Sequence, residues 1–382
     1  MSNGTDYFAD PLGGLDDNQW DEMSRGRFYS SAFWLRLCAL EGGAVFGGLH
    51  VDLPRGGRAA VPVMAVGDDP HPNCRWGDLL AARGLPSPPG RGILVGQLRG
   101  YQAYLLASEG ADPATVAARL LAEVRSAHPT VPKDATARVA LYLTTPDVLA
   151  LREAGVRAMP VLLATDAWIE VPPGGWDAWL DSFGSSHRVR RILSEVRRFD
   201  QAGYRVEHRT LSEAYADVAR LAFQTEQRHG KADSIDPYLE GFRLQGKFAG
   251  ARAEVLLCAY DDGPPVGCCL YYRDGDTVYL RAAGFDYHRL RGAAEYFNLC
   301  YYAPARLPGV RWMHAGIETP DGKALRGATL RPLWLLDLSG DSVLERCGDE
   351  VRAHNAALRA ELAGASPAVA AALRTEMWET FF

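Results

Sequence analysis

The stretch from Val278 to Leu338 decides the fold: VYLRAAGFDYHRLRGAAEYFNLCYYAPARLPGVRWMHAGIETPDGKALRGATLRPLWLLDL. An apolar strand ends at Gly284-Phe285-Asp286, and a basic turn, Arg289-Leu290-Arg291-Gly292-Ala293-Ala294, opens a helix. That helix stops at Pro304, and a second strand ends at Gly316-Ile317-Glu318. A strand that feeds a helix through such a turn points free backbone N–H groups and the positive end of the helix dipole at one spot. Such a spot suits phosphate.

The turn fits the pattern Arg/Gln-x-x-Gly-x-Gly/Ala, with Arg289, Gly292 and Ala294 in the defined places. With the flanking words GFDYHRLRGAAEYFNLCYY and GIETPDGKALRGATLRPLW, the chain resembles the FemAB-like, peptidoglycan-biosynthesis branch of the Gcn5-related N-acetyltransferase (GNAT) superfamily. The resemblance covers roughly residues 24–340 and is firm over Trp176–Leu338. It implies an α/β chain of two tandem GNAT-like domains, each a mixed, mainly antiparallel sheet flanked by helices. The order strand, two helices, three antiparallel strands, helix, strand, helix, strand from Tyr204 onward agrees with it. The first half shows a partial echo, and its counterpart turn, Gln97-Leu98-Arg99-Gly100-Tyr101-Gln102, lacks the final small residue. That half reads as a degenerate partner. The expected division is a flexible acidic leader (1–23), a degenerate domain (24–165), a catalytic domain (166–340) and a helical extension (341–382).

Bulk properties bound the function. At 382 residues the chain exceeds one hydrophobic core, so two domains are expected. Its 47% hydrophobic and 23% charged residues are ordinary for a globular protein. No apolar run approaches the ~20 residues of a membrane span, and the opening MSNGTDYFADPLGGLDDNQWDE is acidic, unlike a signal peptide. A cytoplasmic location is therefore expected. The seven cysteines are scattered through apolar runs without CxxC pairs, which reads as reduced, packed thiols and no metal site. The net charge of −6 opposes a broad nucleic-acid coat but leaves room for a local basic groove.

Helix Ser186–Ala202 offers such a strip. Val189, Ile192, Leu193, Val196 and Phe199 make its apolar face; Arg190, Arg191, Arg197 and Arg198 lie nearly opposite, interrupted only by Glu195. The strip suits a tRNA acceptor stem or an acidic carrier protein, or is simply a solvated face. On the helix after Arg289, residues Glu295, Asn298 and Tyr302 share one face and read either as acceptor-site lining or as a plain polar stripe. His314, mid-strand, reads as a buried, hydrogen-bonded histidine rather than a catalyst.

The resemblance implies that two central strands splay to admit an acyl carbonyl. Arg289, Arg291, Gly292 and Ala293 then hold the donor phosphate. Either Glu318 or Asp286 takes the proton of an attacking amine, and the Tyr287 hydroxyl helps the leaving group. Lys323 and Arg326 join the acceptor side or are ordinary surface cations. No cofactor is permanently bound; the cosubstrate is an acyl donor, whether acyl-CoA, acyl-carrier protein or aminoacyl-tRNA, and the acceptor is a small amine. The expected reaction is direct, amide-forming acyl or aminoacyl transfer. The alternative is a non-catalytic GNAT-like protein that binds an effector or scaffolds a partner.

Overall fold

The computed structural model describes residues 7–40, 44–67, 75–96, 99–128, 130–228, 230, 233–260, 263–291, 295–373 and 376–382. They form two compact units, one of Met1–Thr165 with Arg331–Phe382 and one of Asp166–Leu330. The first unit begins with helices α1 (Asp17–Ser24) and α2 (Ala32–Leu40), then strands β1 (Val45–Asp52) and β2 (Arg58–Val66). Helix α3 (Trp76–Ala81), β3 (Gly92–Val95), β4 (Leu106–Ala107), α4 (Pro113–Arg125), β5 (Ala137–Leu143) and α5 (Thr145–Glu153) follow. Strand β6 (Val161–Glu170) carries the chain into the second unit.

There, α6 (Gly175–Asp181), α7 (Ser186–Gln201), β7 (Arg205–Thr210), α8 (Leu211–Arg228) and α9 (Asp236–Ala249) precede a meander of β8 (Ala253–Ala259), β9 (Gly267–Asp274) and β10 (Thr277–Phe285). A helical stretch of α10 (Glu295–Phe297), a π turn (Asn298–Tyr302) and α11 (Ala303–Ala305) leads to β11 (Trp312–His314) and α12 (Pro320–Ala324). Strand β12 (Thr329–Asp337) and helices α13 (Val343–Arg346), α14 (Gly348–Ala365) and α15 (Pro367–Ala372) complete the chain.

The two units repeat one scheme. In the first, β1, β2 and β3 are antiparallel neighbours and β3 runs parallel to β5 across α4. In the second, β7, β8, β9 and β10 are antiparallel and β10 runs parallel to β11 across the helical stretch. Both are mixed α/β sheets. The closing antiparallel strand of the second sheet is β6, laid on β11, whereas β12 is laid on β5 in the first. The second unit therefore ends at residue 330 rather than at 340, and the C-terminal helices belong to the first unit. There the Asn355 side chain receives Leu162 N–H and donates to the carbonyls of Pro160 and Phe381.

Residues expected to form a flexible leader are core. Leu12 and Trp20 are fully buried, and the Trp20 indole donates to the Ser30 carbonyl at 2.8 Å. Asp16 caps α1 with a complete capping box, so the acidic residues that suggested a solvated tail are the helix's own start signal. Elsewhere the local rules hold: Ser185 caps α7 through Arg188 N–H at 3.4 Å, and Gly203 ends it at φ +75°. At Gly284 a Cβ would lie 2.4 Å from the Ala222 backbone nitrogen, so only glycine lets β10 press this closely against α8. Trp20→Ala should destabilise the protein by about 3–5 kcal/mol in chemical denaturation. A midpoint unchanged from wild type would return this segment to the status of a leader.

Candidate active site

Strands β10 and β11 pair only through Thr277–Trp312, Val278–Met313 and Tyr279–His314. Beyond that point β10 keeps its ladder with β9 as far as Phe285, with one irregularity between Leu280 and Ala282. The other chain turns to β6: Ala315 N–H donates to Ala167 O at 2.8 Å, and Ala167 N–H donates to Gly316 O at 3.2 Å. Each chain satisfies its backbone on its outer side. The ladder between β10 and β11 therefore ends at Tyr279–His314, and residues 280–285 and 315–318 take their backbone partners from opposite sides.

At the end of that ladder, His314 is fully buried and bonds Asp166 Oδ1 at 2.5 Å. The Trp168 indole donates to Asp166 Oδ2 at 2.6 Å. The histidine is thus a structural pin, as its mid-strand place suggests. Lys323 lies close by and is 4% exposed. Burial pulls its ammonium down to about 8, while the nearby carboxylates of Asp166 and Glu318 and the Cys300 thiol act in the opposite direction. Glu318 itself is exposed on the turn after β11. Arg326 is 2% exposed, so neither cation is an ordinary surface residue.

Asp286 is differently placed. Its carboxylate receives His288 N–H at 3.2 Å and its carbonyl receives Arg289 N–H at 3.0 Å, so it caps the turn after β10. Tyr287 is 39% exposed, with the Arg228 guanidinium 4.2 Å from its ring centre. The guanidinium groups of Arg289 and Arg291 lie over one ring, Tyr260, at 5.5 and 3.8 Å. Arg291 also donates from Nη1 to Ala202 O at 2.7 Å, at the end of α7. Its backbone N–H, expected to face a phosphate, donates instead to the Tyr204 hydroxyl at 2.8 Å. That hydroxyl donates to Glu295 at 2.7 Å. Gly292 and Ala293, like Gln97 and Leu98 of the first-half counterpart, lie outside the described residues.

The face of Glu295, Asn298 and Tyr302 does not line open space. All three are buried; Tyr302 reaches Glu195 on α7, and Glu295 reaches Tyr204 just beyond that helix. The Tyr302 hydroxyl donates to Glu195 Oε2, which also receives Arg326 Nη2 at 2.7 Å. Arg326 Nε donates to the Tyr302 oxygen at 3.1 Å, and its guanidinium sits 3.4 Å from the Phe297 ring centre. Glu195 Oε1 receives Arg191 Nε at 3.2 Å. Burial alone would raise Glu195, yet Tyr302, Arg326 and Arg191 together hold it below the ordinary carboxylate range. Of the outer face of α7, Arg190, Arg191, Arg197 and Arg198 are exposed. Leu193 is 37% exposed, because at helical spacing it falls between Arg190 and Arg197 rather than over the core.

The acetyltransferase (GNAT) domain family matches residues 186–299. Among solved structures, FemX is similar at 12% identity and TM-score 0.54, over 85% of this chain and 96% of that one. The C-terminal domain (DUF2156) of a putative lysylphosphatidylglycerol synthetase from Agrobacterium fabrum is similar at 11% identity and TM-score 0.51, over 87% and 94%. A conserved protein of unknown function from Bacteroides thetaiotaomicron VPI-5482 is similar at 11% and 0.51, over 87% and 95%. No curated protein matches by sequence. The chain has the GNAT fold, of the FemAB-like kind.

It is the fold of GNAT-type acyltransferases. Within this GNAT fold, two acids escaped the sequence reading. Glu195 stands one turn from Ile192 and Phe199 on the apolar face of α7, and Asp166 interrupts an apolar strand. A lone acid at a core position was the available signal. No helix among the described residues is long and apolar enough to cross a membrane, and no group of three or more His, Cys, Asp or Glu there could hold a metal ion.

Lys323 gives a pH signature. Its folded value, about 8, lies below the 10.5 of an unburied lysine, so between these values the unfolded chain binds the extra proton. Stability attributable to this group therefore rises as pH increases through that window. Lys323→Met should keep or raise the denaturation midpoint at pH 7.5 and abolish this rise, measured as the wild-type minus variant difference at pH 7.5 and 9.5. A difference independent of pH would mean the ammonium is not desolvated.

Proposed function

We propose that the protein is an N-acyltransferase that forms an amide by direct attack of an amine on an acyl or aminoacyl group, the donor being borne on a polyanionic carrier. The parting of β10 from β11 beside Glu318 and Lys323 carries this reading. An acyl carbonyl placed between the parted strands meets a carboxylate and a buried cation from one side. In the reaction the C–N bond forms, the bond to the carrier oxygen or sulfur breaks, and the amine proton passes to Glu318 and on to the leaving group. Lys323 in its ammonium form faces the developing oxyanion, and Tyr287 stands at the end of β10 for the leaving atom. Asp286 is less available for this role, because its carboxylate is engaged in capping its own turn.

Two observations favour a carrier over free CoA. The turn at Arg289–Arg291 is followed by the buried carboxylate of Glu295, which a pyrophosphate would meet as like charge. The cations instead run along a surface: exposed Arg190, Arg197 and Arg198 on α7 lead to Arg291, bonded to the end of that helix, and then to Arg289 on the same tyrosine. Such a row fits successive phosphates of an aminoacyl-RNA. Acyl-CoA, whose anionic groups are confined to one pyrophosphate and one phosphate, would use only part of that row.

The test is to incubate the protein with aminoacyl-tRNA, acyl-carrier and acyl-CoA pools plus an amine library, and to search for new amides by mass. An amide is expected from the RNA pool, and Glu318→Gln should lower its rate about 10²–10⁴-fold. Binding should weaken steeply with salt, and the double variant Arg197→Gln/Arg198→Gln should flatten the slope by about one per lost contact. Amides from the carrier-protein pool alone would move the donor to that class. Donor binding without turnover over every amine would instead favour the effector-binding alternative.

A further inference from the structure

We infer that Glu195 is a positioning residue that fixes the loop bearing Lys323 and Glu318 against α7; the inference rests on the acyl-transfer reading of that loop. The carboxylate is 2% exposed and gathers three donors from separate parts of the second unit. Tyr302 comes from the π turn, Arg326 from the segment after α12, and Arg191 from α7 itself. Arg326 is the working link. Besides Glu195 it donates from Nη1 to the carbonyl of Gly322 at 2.9 Å, the residue immediately before Lys323. The path from α7 to the ammonium is thus one ion pair, one hydrogen bond and one peptide unit.

Physical chemistry argues against a merely stabilising role. A buried ion pair offsets its desolvation only partly, and apolar residues of similar volume would hold two helices together as well or better. What the charged cluster supplies is direction. A guanidinium with fixed donors to a carboxylate, a hydroxyl and a carbonyl defines the orientation of the next residues in a way that packing does not. The π turn fits the same account. Inserting its extra residue places Tyr302 towards Glu195 while Glu295 still reaches Tyr204, so both ends of the helical stretch are pinned to α7 and its exit. Chemistry that needs an ammonium held within a fraction of an ångström loses on the order of 10²-fold for a misplacement of about 1 Å.

The decisive experiment compares wild type, Glu195→Gln and Arg326→Lys by steady-state kinetics and by NMR titration of the lysine side chains. Both variants should lose kcat about 10–100-fold per folded molecule with donor KM little changed, and the Lys323 resonance should titrate at a different pH from wild type. Tyr302→Phe, which removes one arm and keeps the carboxylate paired with Arg326, serves if Glu195→Gln does not fold, and should give an intermediate loss. Activity that falls only with the folded fraction, with an unmoved Lys323 titration, would overturn the inference. If wild type forms no amide at all, the acyl-transfer reading fails on its own. The Lys323 titration then still decides whether Glu195 orders this loop.

Discussion

After His314 the backbone has a choice of partners, and it gives its hydrogen bonds to Ala167 on β6 rather than to β10. That choice governs the rest of the second unit. Buried peptide groups cannot go unpaired, so a gap between neighbouring strands survives only where each side is satisfied elsewhere. Here β9 serves β10 and β6 serves the chain after β11. The parting costs no orphaned N–H on those outer sides. Gly284 lets α8 lie close on β10.

Around this parting the polar groups fall into two sets. Asp166, His314 and Trp168 hold the point where the strands part through short bonds, that between Asp166 and His314 fully buried. Glu195, Arg326, Tyr302 and, farther along, Glu295 and Tyr204 hold the helical stretch and the loop after β11 to α7. Lys323 lies between them, in reach of the charges of Asp166 and Glu318. Each set alone would be an expensive way to stabilise a fold. Lys323, on the same loop as Arg326, is a cation whose charge burial disfavours.

How much of this was legible follows from how local each signal is. The strand, helix and second strand of residues 278–318 were readable because period is a property of adjacent residues, and the tandem GNAT architecture came with them. So were the limits of α7 and the pinned state of His314. The buried N-terminal segment was missed because Asp16, Asp17 and Asp21 hid the spacing of Leu12, Leu15, Trp20 and Met23, whose burial needs partners from β2 and β4. The role of Glu195 was out of reach for a related reason: its Arg326 partner is 131 residues away. Periodicity marked the acid as standing on the wrong face, but only the fold names what it meets. The exchange of closing strands, β6 to one sheet and β12 to the other, likewise leaves no trace in local pattern.

In the proposed acyl transfer, the activated acyl group lies between β10 and the chain after β11. Hydrogen exchange with and without a non-hydrolysable aminoacyl-RNA mimic tests it directly. Occupancy should slow exchange of amides in residues 280–285 and 315–318 while leaving the β8–β9 ladder unchanged. Saturating binding with no added protection in either segment would contradict the account.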